Sequence, residues 1–200
     1  MIVPPAGQIG PVAGTLSGMA DTFTRMDEST LDQWMVIGRE TAANQGRVAD
    51  RILGMLESLR DITDGFVTDQ LTHSLQTATR AERDGAEPEV VFASLCHDIG
   101  KAVSVPNHPA IAAEILRPYV SDDVYNMIRT HQDFQGKHYY AHFGADPNAR
   151  DKYEGESFYD LTARFADDWD QIAFDPDYDT LPLEHFEPLV REITARPKYA

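Results

Sequence analysis

The stretch Pro88-Glu89-Val90-Val91-Phe92-Ala93-Ser94-Leu95-Cys96-His97-Asp98-Ile99-Gly100-Lys101 decides how this chain is read. Pro88 suits the first turn of a helix, where a missing N–H costs nothing. Val90, Val91 and Leu95 give that helix an apolar body, and Gly100 is its expected stop. The helix is almost wholly apolar, yet it ends on an imidazole and a carboxylate. Buried charge without a partner is costly, so the pair needs company. The chain supplies it in His73, His108, His131 and Asp170. Four imidazoles and two carboxylates are the donor types that a pair of borderline-to-hard transition metals takes.

Outward from this stretch the chain reads as helix almost throughout. Val48, Ile52, Met55, Leu56 and Leu59 recur at helical spacing and form one apolar stripe. Before it, Ser29 to about Ala43 has a cap candidate in Ser29 or Thr30, and is expected to bury Leu31, Trp34 and Met35. A third helix should run from about Asp69 to Arg83 and stop at Gly85. On it, His73, Gln76 and Arg80 make a polar stripe beside Leu71, Leu75 and Ala78.

Asn107 is placed to cap a short helix through Leu116, with Pro109 in its first turn and Pro118 beyond its end. Ser121 opens another, whose face is Val124, Met127, Ile128 and His131. From Phe134 to about Gly155 the pattern dissolves, and a long loop is expected, with Lys137, His138, Tyr139, Tyr140 and His142 forming a lid. A helix from Ser157 to about Ala173 should follow, carrying Phe158, Leu161, Phe165 and Trp169. Thr180-Leu181-Pro182 opens a last one through about Ile193. No segment alternates long enough to make a strand, so the expected fold class is all-α, a compact bundle.

Composition narrows the function. With 200 residues, 42% hydrophobic and 25% charged, the chain has the make-up of one globular domain. The division expected is a flexible arm over 1–28 and a single domain over 29–200, ending in a helical extension. The 33 acidic residues against 17 basic ones give a formal charge of −16, which repels phosphate backbones and argues against a nucleic-acid partner. Cys96 stands alone, so a disulfide framework is excluded; it reads as a small core residue. Residues 1–20 have no charged side chain, but Pro4, Pro5, Pro11 and four glycines break them, unlike a signal peptide. No apolar run approaches the ~18–20 residues of a membrane span. The expectation is a cytoplasmic protein with a small-molecule substrate and no membrane partner. Its oligomeric state is not legible.

The ordered set His73…His97-Asp98…His108…His131…Asp170 resembles the HD-domain superfamily, from roughly Leu56 to Asp175. That resemblance implies an all-α HD-domain helical bundle with one or two metals. His108 and His131 are, by the same resemblance, marks of its binuclear members. One branch hydrolyses phosphate esters or nucleotides, and the other uses two irons and O2 to cleave a C–C or C–P bond next to a hydroxyl-bearing carbon. His73-Ser74-Leu75-Gln76-Thr77-Ala78, His97-Asp98-Ile99-Gly100-Lys101 and Trp169-Asp170 look like segments of the oxidative branch, which includes myo-inositol oxygenase and the oxygenases of hydroxyalkylphosphonates.

By resemblance, one iron takes His73, His97 and Asp170, the other His108 and His131, and Asp98 bridges a mixed Fe(II)/Fe(III) pair; the donor set also suits Mn. Gln76 would then orient ligands by hydrogen bonding and Lys101 would contact substrate oxygen. Asn107-His108-Pro109 resembles the third histidine of the hydrolytic branch, but the Gly-Tyr-Pro of that branch is absent: Gly136-Lys137-His138-Tyr139-Tyr140 follows His131 instead. The oxidative branch's basic phosphonate contacts are missing as well, with Gln135 and Asp167 in their places.

Overall fold

The polar-looking segment before the His-Asp pair turns out to be the central helix. A computed structural model describes residues 22–198. Within them the chain is all-α, and no strand occurs among the described residues. It divides into two units, one ending at Val48 and one running from Ala49 onward. Most of the expected arm over 1–28 lies outside the described residues.

In the first unit α1 spans Leu31–Gln45. Thr30 is its N-cap, and Thr30 and Gln33 close a capping box. The expected burial of its apolar residues does not occur: Leu31 and Trp34 are exposed, and Met35 is half-buried. The reason is visible in the spacing. Met35, Val36 and Ile37 are consecutive and spread around the helix rather than along one stripe.

All but the first residue of α2, Val48–Ser58, lies in the second unit; its stripe of Ile52 and Leu56 is buried and continues into Leu59 of a short 3₁₀ turn. Next comes α3, Gln70–Arg83, capped by Asp69, whose carboxylate accepts from the Thr72 N–H at 2.8 Å. Gly85, at φ +72°, supplies the left-handed residue that ends it. Despite its polar sequence α3 is buried on most sides, with Gln70, His73, Ser74, Gln76, Thr77 and Thr79 inside. It packs on α4, Pro88–Cys96, of which seven residues are buried.

Gly100 is not the stop of α4. The helix ends at Cys96, His97 is its C-cap, and a 3₁₀ turn over Ile99–Ala102 carries the chain on. Gly100 is needed for close approach instead: a Cβ there would lie 2.2 Å from the His108 carbonyl oxygen. Helix α5, His108–Leu116, starts at that contact, with Pro109 in its first turn. Asn107 sits at its N-cap, but its side chain makes no cap bond. Ser121 likewise leaves α6 uncapped; its hydroxyl donates to Glu89 at 2.9 Å and ties α6 to the start of α4.

The expected long loop is largely helical. Helix α6 runs Asp122–Tyr139, and two 3₁₀ segments, Tyr140–Phe143 and Ala149–Tyr153, follow. Phe134 and Gly136 are buried, and the Tyr140 ring occupies the space a Cβ at Gly136 would need. Burial of Phe134 thus extends a pattern that looked as if it ended at His131. The Ser157–Ala173 helix also differs. Helix α7 spans Tyr159–Arg164, and Phe165–Asp170 is π-helical, with Gln171 N–H bonded to the Ala166 carbonyl. Helix α8, Leu183–Thr194, packs on α4.

Candidate metal centre

The four histidines come from four different structural settings. His73 lies in α3, His97 caps α4, His108 begins α5, and His131 lies in α6. Asp98 precedes the 3₁₀ turn after α4, and Asp170 ends the π-helix. All six are buried, none more than 5% exposed.

Each imidazole faces a backbone carbonyl with Nδ1. His97 meets Ser94 at 2.8 Å, His108 meets Val105 at 2.8 Å, and His131 meets Ile128 at 2.6 Å. His73 meets Ala173 at 3.1 Å. A carbonyl accepts and never donates, so each Nδ1 carries the proton and a neutral ring turns its Nε2 lone pair inward. These lone pairs converge. His73 Nε2 lies 3.1 Å from His97 Nε2 and 3.0 Å from Asp170 Oδ1. His108 Nε2 lies 3.3 Å from His131 Nε2 and 3.0 Å from Asp98 Oδ1. The other Asp98 oxygen faces the first group, 3.3 Å from His97 Nε2 and 3.6 Å from His73 Nε2.

Lone pairs facing lone pairs and carboxylate oxygens repel unless positive charge, as protons or as a metal ion, lies among them. The buried Asp98 Oδ1 and Asp170 Oδ1 have no hydrogen-bond partner. Each unmet acceptor costs about 1–3 kcal/mol. A metal answers every one of these deficits, and the donor set of nitrogen and oxygen suits a transition ion. His73, His97 and Asp170 are spaced to hold an ion, and so are His97, Asp98 and His131, but the two groups share His97, which offers one ligand atom.

Electrostatics keeps both carboxylates ionised. Burial pushes the Asp98 carboxyl up, but His97, Lys101, His108 and His131 outweigh it and hold it well below the usual range. At Asp170 burial again pushes up, and His97, His73 and His131 bring it down to about 2. Burial raises the Cys96 thiol, as fits a core residue.

A family model for the HD domain matches residues 71–175, a span that holds all six of these residues and more than half of the chain. The chain belongs to the HD domain family. Members of this family are generally metal-dependent enzymes, and the buried cluster fits that character. No curated protein matches this chain.

Two further expectations look different in place. Lys101 Nζ is 2.7 Å from Asp98 Oδ2 and donates to Gln70 Oε1 at 2.8 Å, with a side chain 12% exposed. It is therefore no solvated helix-end lysine. The Gln76 hydrogen bonds go to none of the six. Its amide grips the Asp175 backbone from both sides, donating to the carbonyl at 2.6 Å and accepting from the N–H at 3.2 Å. It acts on the segment that presents Ala173 to His73.

Of the residues expected in a lid, Lys137 and His138 sit on the last turn of α6 and pair with Asp167 at 3.2 and 2.9 Å. Sequence reasoning missed the role of Gln135, which donates to Asp170 Oδ2. Its spacing of four from His131 put it on the same helix face, and that was the available signal. It also missed the ring column in which Phe174 stacks on His73 at 4.2 Å and Phe66 stacks on Phe174 at 4.4 Å. Phe165 stands edge-on to His97 at 5.3 Å, closing the other side.

Proposed function

We infer that this chain is a diiron, O2-dependent oxygenase that cleaves a C–C or C–P bond next to the hydroxyl-bearing carbon of a small polar metabolite. The observation that carries this reading is the donor set: four imidazole lone pairs and two carboxylates, with one Asp98 oxygen turned toward each half. In this reading His73, His97 and Asp170 would hold one iron and His108 and His131 the other, with Asp98 a ligand within reach of both. Such a set contributes little negative charge, which leaves room for anionic ligands. Bound iron would supply the O2 and one-electron chemistry that no side chain here offers.

The chain's own residues do the rest. The carbonyls of Ser94, Val105, Ile128 and Ala173 hold each imidazole in the tautomer that presents Nε2. Phe165 and Phe174 keep water from the His73 and His97 rings. Lys101, at the edge of the cluster, neutralises Asp98 and is the cation nearest to an entering substrate hydroxyl. The resemblance of His73-x-x-Gln76-Thr77-Ala78 and Trp169-Asp170 to the oxidative branch supports O2 chemistry over hydrolysis.

The rival is a binuclear metal-dependent phosphohydrolase acting on a phosphate ester or nucleotide. In its favour are the Lys101 ammonium at the cluster, the resemblance of Asn107-His108-Pro109 to the hydrolytic branch, and the HD-domain match itself. Anaerobic loading with Fe(II) followed by limited oxidation tests the choice. The oxygenase reading expects a mixed-valent EPR signal and O2 consumption with a hydroxylated substrate. Protein that loads both metals, never shows that signal and hydrolyses phosphoesters with Mn or Co would establish the rival.

A further inference from the structure

Arg150 is a charged side chain that is 7% exposed, and neither its burial nor its position follows from the metal chemistry. It lies in the 3₁₀ segment Ala149–Tyr153. Its guanidinium forms a fork on Asp167, with Nη1 donating at 2.9 Å and Nη2 at 2.7 Å. Nη2 also donates to the Phe134 carbonyl of α6 at 2.6 Å, and the Nε has no partner. Burying a guanidinium with one donor unmet is expensive, so what it holds matters.

It holds a rare backbone. Asp167 stands in the π-helix three residues before Asp170. π-Helical turns are seldom stable alone and occur as single turns at functional sites. Return to α register shifts the helix by one residue, about 100° of rotation about its axis, because there are 3.6 residues per turn. Asp170 would then leave the His73 and His97 nitrogens. Two rungs bind this turn to α6: Arg150 from Phe134 to Asp167, and Gln135, the next residue of α6, onto Asp170. Lys137 and His138 add to the hold on Asp167, whose carboxyl is kept low first by the Arg150 bond.

We propose that Arg150 is a positioning residue: its fork on Asp167 locks the π register of Phe165–Asp170 and thereby sets the His73–His97–Asp170 half of the centre, while the Asp98–His108–His131 half does not depend on it. The part of this that concerns metal rests on the reading given above; the part that concerns the backbone does not.

Two measurements on the full chain separate them. The first is amide hydrogen exchange of metal-free protein at Gln171, whose N–H closes the π turn on Ala166. In Arg150→Met its exchange should rise about tenfold or more while α4 and α5 amides stay protected. The second is Co(II) titration against a competing chelator. Wild type should take two ions, and Arg150→Met should keep one and bind the other about 10–100-fold more weakly. Arg150→Lys, which cannot reproduce the fork, should restore only part.

If circular dichroism shows that Arg150→Met does not fold, Asp167→Asn breaks the same pair and leaves the Arg150–Phe134 bond. Unchanged protection at Gln171 in a folded variant, or equal weakening of both ions, overturns the proposal. A wild type that takes no cobalt, with Gln171 protection lost in the variant, sinks the metal reading and leaves the latch standing.

Discussion

The two halves of the centre are built by different means. In one half, His108 and His131 each bond a carbonyl three residues earlier in their own chain segment, at Val105 and Ile128, and His97 of the other half does the same at Ser94. Their ring orientation is decided locally, as soon as the helix forms. His73 instead takes its carbonyl from Ala173, one hundred residues away, and its half is closed by Asp170 from the π-helix. That half depends on Gln76 gripping Asp175, on Gln135 bonding Asp170 and on Arg150 holding Asp167. One half is local and the other is assembled from distant pieces. Long-range assembly carries more entropy to be overcome, so it should be the half that fails first.

Asp98 belongs to both halves, and its removal should have the largest effect. In Asp98→Ala no oxygen remains between the two groups, and Lys101 loses its buried partner at 2.7 Å. We expect metal content near zero and a folded state less stable by about 3–5 kcal/mol, the usual cost of breaking a buried pair by removing one member. Elemental analysis and thermal unfolding read this out. Full metal content in the variant would contradict a bridging position.

A matched pair of variants separates the halves. Gly100→Ala places a Cβ 2.2 Å from the His108 carbonyl oxygen and 2.8 Å from its Cα. Overpacking of this kind costs about 1–3 kcal/mol, or about 2–4 °C of Tm per kcal/mol in a domain of this size. The metal lost should be the one near His108. Gln76→Leu keeps the volume but strips the Asp175 backbone of both partners, at about 1–3 kcal/mol. It should weaken the ion near His73 about 10–100-fold and spare the other. Cobalt spectra of the two variants should therefore differ in which band is lost. Identical spectra would erase the distinction between the halves.

The locally set residues were the legible ones. His97-Asp98 at the end of an apolar helix, and His131 on the face of Val124, Met127 and Ile128, announce buried polar groups through period and hydropathy alone. The ligand candidates came together as the order of residues suggested, and the all-α class followed from helical spacing. The assembled half escaped. A π turn leaves no trace in a 3.6-residue pattern, so Ser157 to Ala173 read as one plain helix. Gln76 looked like a partner of ligands because it shares a stripe with His73, but its contacts lie across the chain at Asp175. The segment after Phe134 read as a loop because its burial comes from Arg150 and Tyr140, not from apolar spacing. Leu31 and Trp34 misled in the other direction: apolar residues carry no instruction about where a partner surface is.

Acid offers a smaller test of the same difference. In metal-free protein Asp98 is held well below the usual range, Asp170 at about 2, and Asp167 is also lowered, chiefly by Arg150 against the opposing effect of burial. An unfolded carboxylate titrates near pH ~4. Between that value and about 2 the unfolded chain binds more protons than the folded one, so stability rises with pH across this window. It is fully present above the window and lost as pH falls through it. Two of the three groups, Asp167 and Asp170, serve the assembled half, and Asp98 is shared. Asp167→Asn should therefore flatten the rise, seen as a weaker pH dependence of the urea midpoint in acid, while Gly100→Ala should lower the midpoint without changing the slope. Parallel curves for wild type and Asp167→Asn would mean that Arg150 holds Asp167 as firmly in the unfolded ensemble as in the folded chain, and the long-range half would lose its claim to be the weaker one.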